Sequence, residues 1–155
     1  MPNELPVHVS FAQPLFMREH LAGDLQRVHK TILSRDNLAA SMHLAAQDAH
    51  AAGFQPTQEV SDELMPVYNA VITDGRYVKL FGTDPEAAAS KLGFHLSDAA
   101  VAAVKTASAF RGAAGISGAD DGTVYVVCVA VIVVLCARPS AGEEVVVNAR
   151  GQIRL

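Results

Sequence analysis

The chain has 155 residues, of which 50% are hydrophobic, 18% charged and 6% aromatic, and its formal net charge is −4. That length holds one domain, or one small domain with a tail. Ala and Val supply much of the hydrophobic share, which suffices for a core, although small side chains each gain less on burial than large aromatic ones. A mildly acidic chain without a stripe of clustered Lys and Arg lacks what phosphate affinity requires, so no nucleic-acid partner is expected. Long charge runs are absent as well, which excludes an electrostatic tail.

The opening residues, Met1 to Pro14, have no basic n-region and no apolar h-region, so no secretory signal is expected. Residues Pro14 to Leu33 then place Leu15, Met17, Leu21, Leu25, Val28 and Ile32 near a 3.6-residue period, which predicts a helix. Asp36 is positioned to cap a second helix, with Leu38, Met42, Ala45, Ala46 and Ala49 on one face and Gly53 as its stop. Thr57, followed by Glu59 and Val60, opens a third helix, and Pro66 is a point where it would kink. Asp74-Gly75 signals a turn. Asp84-Pro85-Glu86 combines a cap, a proline at the first helical position and an early acid, for a helix ending at Gly93. Ser97-Asp98 caps a further helix that carries Val101, Val104 and Phe110.

A weak internal repeat lies across these helices. Ala51-Ala-Gly-Phe-Gln-Pro-Thr57 and Ser90-Lys-Leu-Gly-Phe-His-Leu-Ser97 share one form at a spacing of 40 residues. Each reads as a helix end, Gly-Phe, two residues, a hydroxyl cap and a new helix. Glycine at positive φ stops the helix, Phe packs back, and the hydroxyl caps the next element. An ordinary helix-turn-helix corner reads the same way.

Composition changes at the stretch from Arg111 to Gly122, which holds four glycines and reads as a linker. Beyond it, Thr123 to Ala137 contains no charge, no Gly and no Pro, and β-branched residues dominate. Those residues favour a strand over a helix. As a helix, Val124 to Ala137 would span about 21 Å against a hydrocarbon core of roughly 30 Å, so a transmembrane span is not expected. Left exposed, the run would be an aggregation hazard, so a core, a partner or a chemical modification must cover it. Arg138 to Gly142 breaks the run, Glu143 to Asn148 reads as a short strand, and Gln152 to Leu155 pairs back across a turn at Ala149-Arg150-Gly151. The expected fold is therefore mainly α: a helical bundle over residues 1–111, a Gly-rich linker over 112–122, an extended Val-rich segment over 123–137, and a follower or short β-hairpin over 138–155.

Enzyme signatures are missing. The chain has no Gly-rich phosphate loop, no His-Glu-x-x-His, no paired-cysteine metal site and no Gly-x-Ser-x-Gly elbow, so neither catalysis nor a bound metal or cofactor is expected. The six histidines, His8, His20, His29, His43, His50 and His95, are scattered. His43 and His50 stand seven apart, whereas a helical metal pair sits at i, i+4, so surface or capping roles are favoured. Cys128 and Cys136 lack neighbouring bases or cations and read as inert buried thiols. Their separation would be about 26 Å in a strand or about 12 Å in a helix, beyond the roughly 7 Å reach of a disulfide. A reducing cytoplasm is the default for such a chain. Asp120 and Asp121, adjacent in a Gly-flanked loop, are explained by solvation.

The stretch Tyr77-Val-Lys-Leu-Phe-Gly-Thr-Asp-Pro-Glu-Ala-Ala-Ala-Ser-Lys-Leu-Gly-Phe94 resembles leader regions of ribosomally synthesised, post-translationally modified peptide (RiPP) precursors. Nitrile-hydratase-like leaders and the leaders of bacterial borosin precursors share its outline of Leu-Phe, Asp-Pro, an Ala-rich turn and Leu-Gly-Phe. Residues Asn37 to Leu64, with Ala-Ala-Gly-Phe-Gln-Pro-Thr-Gln-Glu, are similar to the nitrogen-fixation-associated leader family. Together the two resemblances cover residues 37–104. They imply a substrate whose leader is gripped by a maturation enzyme, which raises the effective concentration of the core at the active site. Leader recognition would rest on Leu80, Phe81, Asp84, Pro85, Leu92, Gly93 and Phe94. The modified core would comprise Val124, Tyr125, Val126, Val127, Cys128, Val129, Ala130, Val131, Ile132, Val133, Val134 and Leu135.

The content of this core resembles that of borosins, whose backbone amides are methylated by an enzyme that uses S-adenosylmethionine. No methyltransferase is expected within these 155 residues, so the resemblance implies one acting in trans in the bacterial cytoplasm, with a protease acting later. Epimerisation by a radical enzyme, as in proteusins, is the alternative chemistry. Two other classes compete: a small α+β interaction or structural protein with the Val-rich run as the central strand of its sheet, and a membrane-active peptide behind a soluble pro-region.

Overall fold

In the computed structural model, which describes residues 7–11, 35–110, 122–138, 144–148 and 151–155, three helices start where capping side chains put them. The helix predicted over Pro14–Leu33, residues 111–121 of the glycine-rich joint and the Asp120-Asp121 pair lie outside the described residues. The helices are α1 (Arg35–Ala51), α2 (Gln58–Asp74), α3 (Val78–Thr83), α4 (Pro85–Lys91), α5 (Asp98–Ser108) and α6 (Gly122–Ala137). The strands are β1 (His8–Phe11), β2 (Glu144–Val147) and β3 (Ile153–Arg154). The fold is mainly α, as the sequence predicts.

Three of the predicted caps form. The Thr57 hydroxyl accepts from the Val60 N–H at 3.2 Å, the Asp84 carboxylate from the Ala87 N–H at 3.1 Å, and Ser97 Oγ from the Ala100 N–H at 3.2 Å. Each satisfies one of the N–H groups that a helix start leaves without an intrahelical partner. The two Gly-Phe repeats are the same corner. The Phe54 N–H donates to the Ala49 carbonyl at 2.9 Å and the Gly53 N–H to His50 at 3.0 Å. The Phe94 N–H donates to Ala89 at 2.8 Å and the Gly93 N–H to Ser90 at 3.0 Å. With Gly53 at φ +91° and Gly93 at φ +88°, both corners are Schellman motifs.

Some boundaries differ from expectation. α1 begins at Arg35, so Asp36 lies inside the helix rather than capping it. α2 runs through Pro66, which is exposed. α3 was not predicted, because six residues without a side-chain cap give too little periodicity to recognise.

The principal correction concerns the Val-rich run. Residues 123–137 are not extended: they form α6, which starts at Gly122 and therefore takes the last residue of the expected linker. No residue from Val126 to Cys136 is more than 3% exposed. α1, α2, α3, α5 and β2 all pack against the helix. Burial decides the matter. A valine in a helix costs less than about 0.7 kcal/mol relative to alanine, while fully burying a Val, Leu or Ile gains roughly 1.5–3 kcal/mol. A helix also closes its backbone hydrogen bonds within itself, whereas a buried strand needs a paired strand on each side. A helix apolar all round belongs at the centre of a bundle.

Among the described residues, β-structure is confined to a small sheet of order β1-β2-β3. β1 runs parallel to β2 in the register His8↔Glu144 to Phe11↔Val147, and β2 pairs antiparallel with β3 through Val146↔Arg154 and Val147↔Ile153. The expected strand at 143–148 and its return are therefore present, closed by a turn in which the Gly151 N–H donates to Asn148 at 3.0 Å. β1, absent from the sequence reading, takes the place beside β2 that the α+β alternative gave to the Val-rich run. A parallel pair needs a long crossover, and here the crossover includes the whole bundle.

Candidate functional site

The residues expected to serve leader recognition lie on α3, on α4 and at the corner that follows it, and of these elements α3 packs against α6. Phe81 is buried on α3, its ring centroid 5.0 Å from that of Tyr68 on α2. Pro85 is buried at the first position of α4, and Asp84 is the exposed cap that precedes it. Leu80, Leu92 and Phe94 are half-buried against the same core, and Gly93 is the exposed helix stop. All seven occupy structural positions, and Leu80, Leu92 and Phe94 also keep part of their surface in solvent. α3 approaches α6 closely: a Cβ on Gly82 would lie 3.3 Å from Cε2 of Tyr125.

The expected core residues Val126 to Leu135 are all buried within α6, Tyr125 is half-buried, and Val124 belongs to the helix. Among the described residues, this interior includes the Tyr68 hydroxyl and the Cys128 and Cys136 thiols. The Tyr68 hydroxyl is buried without a hydrogen-bond partner among the described residues, and burial followed by the neighbouring Tyr125 holds its pKa well above the ordinary phenol range. Cys136 donates to the Ala46 carbonyl at 3.5 Å, and burial pushes its thiol up to about 12. Such a thiol is almost wholly protonated near neutral pH and is a poor nucleophile. Among the described residues, no group of three or more His, Cys, Asp or Glu side chains is arranged to hold a metal.

The chain after α6 is fastened along α2. Arg138, just beyond the helix C-terminus where a cation is favoured, forms an ion pair with Asp62 and donates from Nε to Ser61 Oγ at 3.4 Å. Further along α2, Asn69 grips the backbone of β3. Its Oδ1 accepts from the Ile153 N–H at 2.9 Å and its Nδ2 donates to the Ile153 carbonyl at 3.3 Å. Gln152 Nε2 donates to Thr73 Oγ1 at 2.7 Å. Glu63, also on α2, accepts from both the backbone N–H (2.6 Å) and the hydroxyl (2.9 Å) of Ser97, which ties the start of α5 to the same helix.

None of these fastenings was anticipated. Asn69 alone left a mark in the sequence, as a polar residue of poor helix propensity between the apolar Val67, Tyr68, Val71 and Ile72.

The described residues also line surface grooves. One, of about 460 Å³, lies between the first Gly-Phe corner and α5, where the rings of Phe54 and Phe110 stack at 6.3 Å. Another, of about 430 Å³, lies between β1 and α1, where His8 and His43 stack with centroids 6.2 Å apart. His50 and His95 are not part of either groove.

No protein-family model, curated protein or solved structure significantly matches this chain. No helix among the described residues is long and apolar enough to cross a membrane.

Proposed function

We propose that this chain is a RiPP precursor: a substrate, not an enzyme, whose helical N-terminal part sheathes the Val-rich run and delivers it to a maturation enzyme acting in trans. One observation carries the reading. α1, α2, α3 and α5, drawn largely from the leader-like residues 37–104, pack against α6, the segment expected to be the core. A sheath answers the aggregation hazard of an uncharged β-branched run while the chain awaits its enzyme in the cytoplasm. The favoured chemistry is α-N-methylation by an S-adenosylmethionine-dependent methyltransferase, followed by proteolytic release. Epimerisation by a radical enzyme is the alternative.

The complete burial of Val126–Cys136 favours a second reading, a small helical interaction or structural protein with α6 as its permanent core. Co-expression with each modifying enzyme encoded beside the gene separates the two. Methylation adds mass to the fragment spanning residues 122–155, and epimerisation in heavy water places deuterium at its α-carbons. An unmodified run in protein purified from the native host overturns the precursor reading and leaves the structural one.

A further inference from the structure

The position of α6 has a chemical consequence for the modifications named above. From Val126 onward, every backbone N–H of α6 faces the carbonyl four residues earlier, so Val131 donates to Val127 and Val133 to Val129. These groups lie in a water-free interior, where a carbonyl that loses its donor has no substitute. Resting on the precursor reading, we propose that α6 reports its own modification: the bundle closes only over an unmodified run, and a modified run holds it open to proteolysis.

Methylation moves a methyl group from a sulfonium donor to an amide nitrogen. The new N–C bond forms as the S–C bond breaks, the electron pair of the broken bond stays on sulfur as a thioether, and the amide proton leaves to a base or to water. The product has no N–H and carries a methyl group where the i−4 carbonyl oxygen sits, the double defect by which proline breaks a helix. Epimerisation acts differently, because a D-residue is mismatched to a right-handed helix. Methylation therefore disables, and epimerisation strains, the one element on which α1, α2, α3 and α5 all pack. A chain modified in this way cannot rebury the run, so release of the tail follows modification and does not precede it.

Cys128 offers a route to the test, because residues 128–155 can be joined by ligation at its thiol to a chain ending at residue 127. Three full-length ligated proteins are compared: one unmodified, one with N-methyl groups on Val131 and Val133, and one with an N-methyl group on Leu155, which is exposed and outside the helix. Thermal unfolding and thermolysin cleavage between Val126 and Ala130 are measured on each. The unmodified and Leu155 proteins are expected to melt cooperatively and resist cleavage. The Val131/Val133 protein is expected to lose its cooperative transition and to be cut at least hundredfold faster, equivalent to about 2.8 kcal/mol.

A doubly methylated protein that melts and resists cleavage like the unmodified one overturns the inference, and this result is independent of whether any enzyme modifies the chain in its host.

Discussion

Replacing Ile132 by alanine tests the interior position of α6 directly. Ile132 is fully buried near the middle of the helix. The substitution removes three carbons, worth about 2.4 kcal/mol at roughly 0.8 kcal/mol per buried methylene. A residual cavity adds to that, so the expected cost is about 3–4 kcal/mol, inside the range of roughly 2–5 kcal/mol for such truncations. For a chain of this size each kcal/mol lowers the melting temperature by about 2–4 °C, which places the expected drop at about 6–16 °C. Urea unfolding followed by circular dichroism should show a lower midpoint with an unchanged slope, because the surface exposed on unfolding barely changes. If the run were presented to solvent, the same substitution would cost almost nothing. A loss below about 0.5 kcal/mol, the usual size of a surface effect, would falsify the interior placement.

Three further outcomes follow from single contacts. Asn69→Leu leaves both polar groups of Ile153 without their α2 partner and should cost about 1–2 kcal/mol; amide exchange at Ile153 should accelerate, and unchanged exchange would show that the clamp is idle in solution. Gly93→Ala puts a Cβ at φ +88° where no atom lies within 4 Å, so its cost of about 1–2 kcal/mol is purely backbone strain, and a neutral result in chemical denaturation would contradict the left-handed corner.

Alkaline pH should weaken the fold through Cys136. Its thiol is held up to about 12 by burial from an ordinary value of 9.0, so above that ordinary value the unfolded chain binds fewer protons than the folded one. Stability contributed by this group is complete below the ordinary value and falls as the pH rises through the window towards about 12. Cys136→Ala should flatten the decline measured between pH 9 and pH 10 by urea titration, and an identical slope in both proteins would remove Cys136 as its source.

Local chemistry was legible in the sequence wherever one residue performs one task. Thr57, Asp84 and Ser97 cap helices because a short oxygen-bearing side chain beside a helix start has one favourable use. The two Gly-Phe corners were readable for the same reason. The Val-rich run was misread because β-propensity is a local quantity, and whether four helices and a strand will surround a segment is not. β1 escaped notice because its partner β2 lies at the other end of the chain and four residues carry no pattern of their own. The clamps made by Glu63, Asn69 and Arg138 join residues far apart in sequence, and only the folded arrangement reveals them. Of the candidate site, the apolar identity of residues 124–135 was evident from composition, and the enclosure of residues 126–135 was not.

The parallel pairing of His8–Phe11 with Glu144–Val147 sets the timing of folding on the ribosome. At about 5–20 residues per second, roughly 7–27 s of synthesis separate the first strand from its neighbour. α1 to α5 are all synthesised before the helix they are built around, and the sheet cannot zip until β2 has been made. The nascent chain thus passes through a stage in which its most apolar stretch has only just emerged and its enclosure is still incomplete. A trans-acting factor that needs an extended polypeptide would find its substrate most accessible during those seconds.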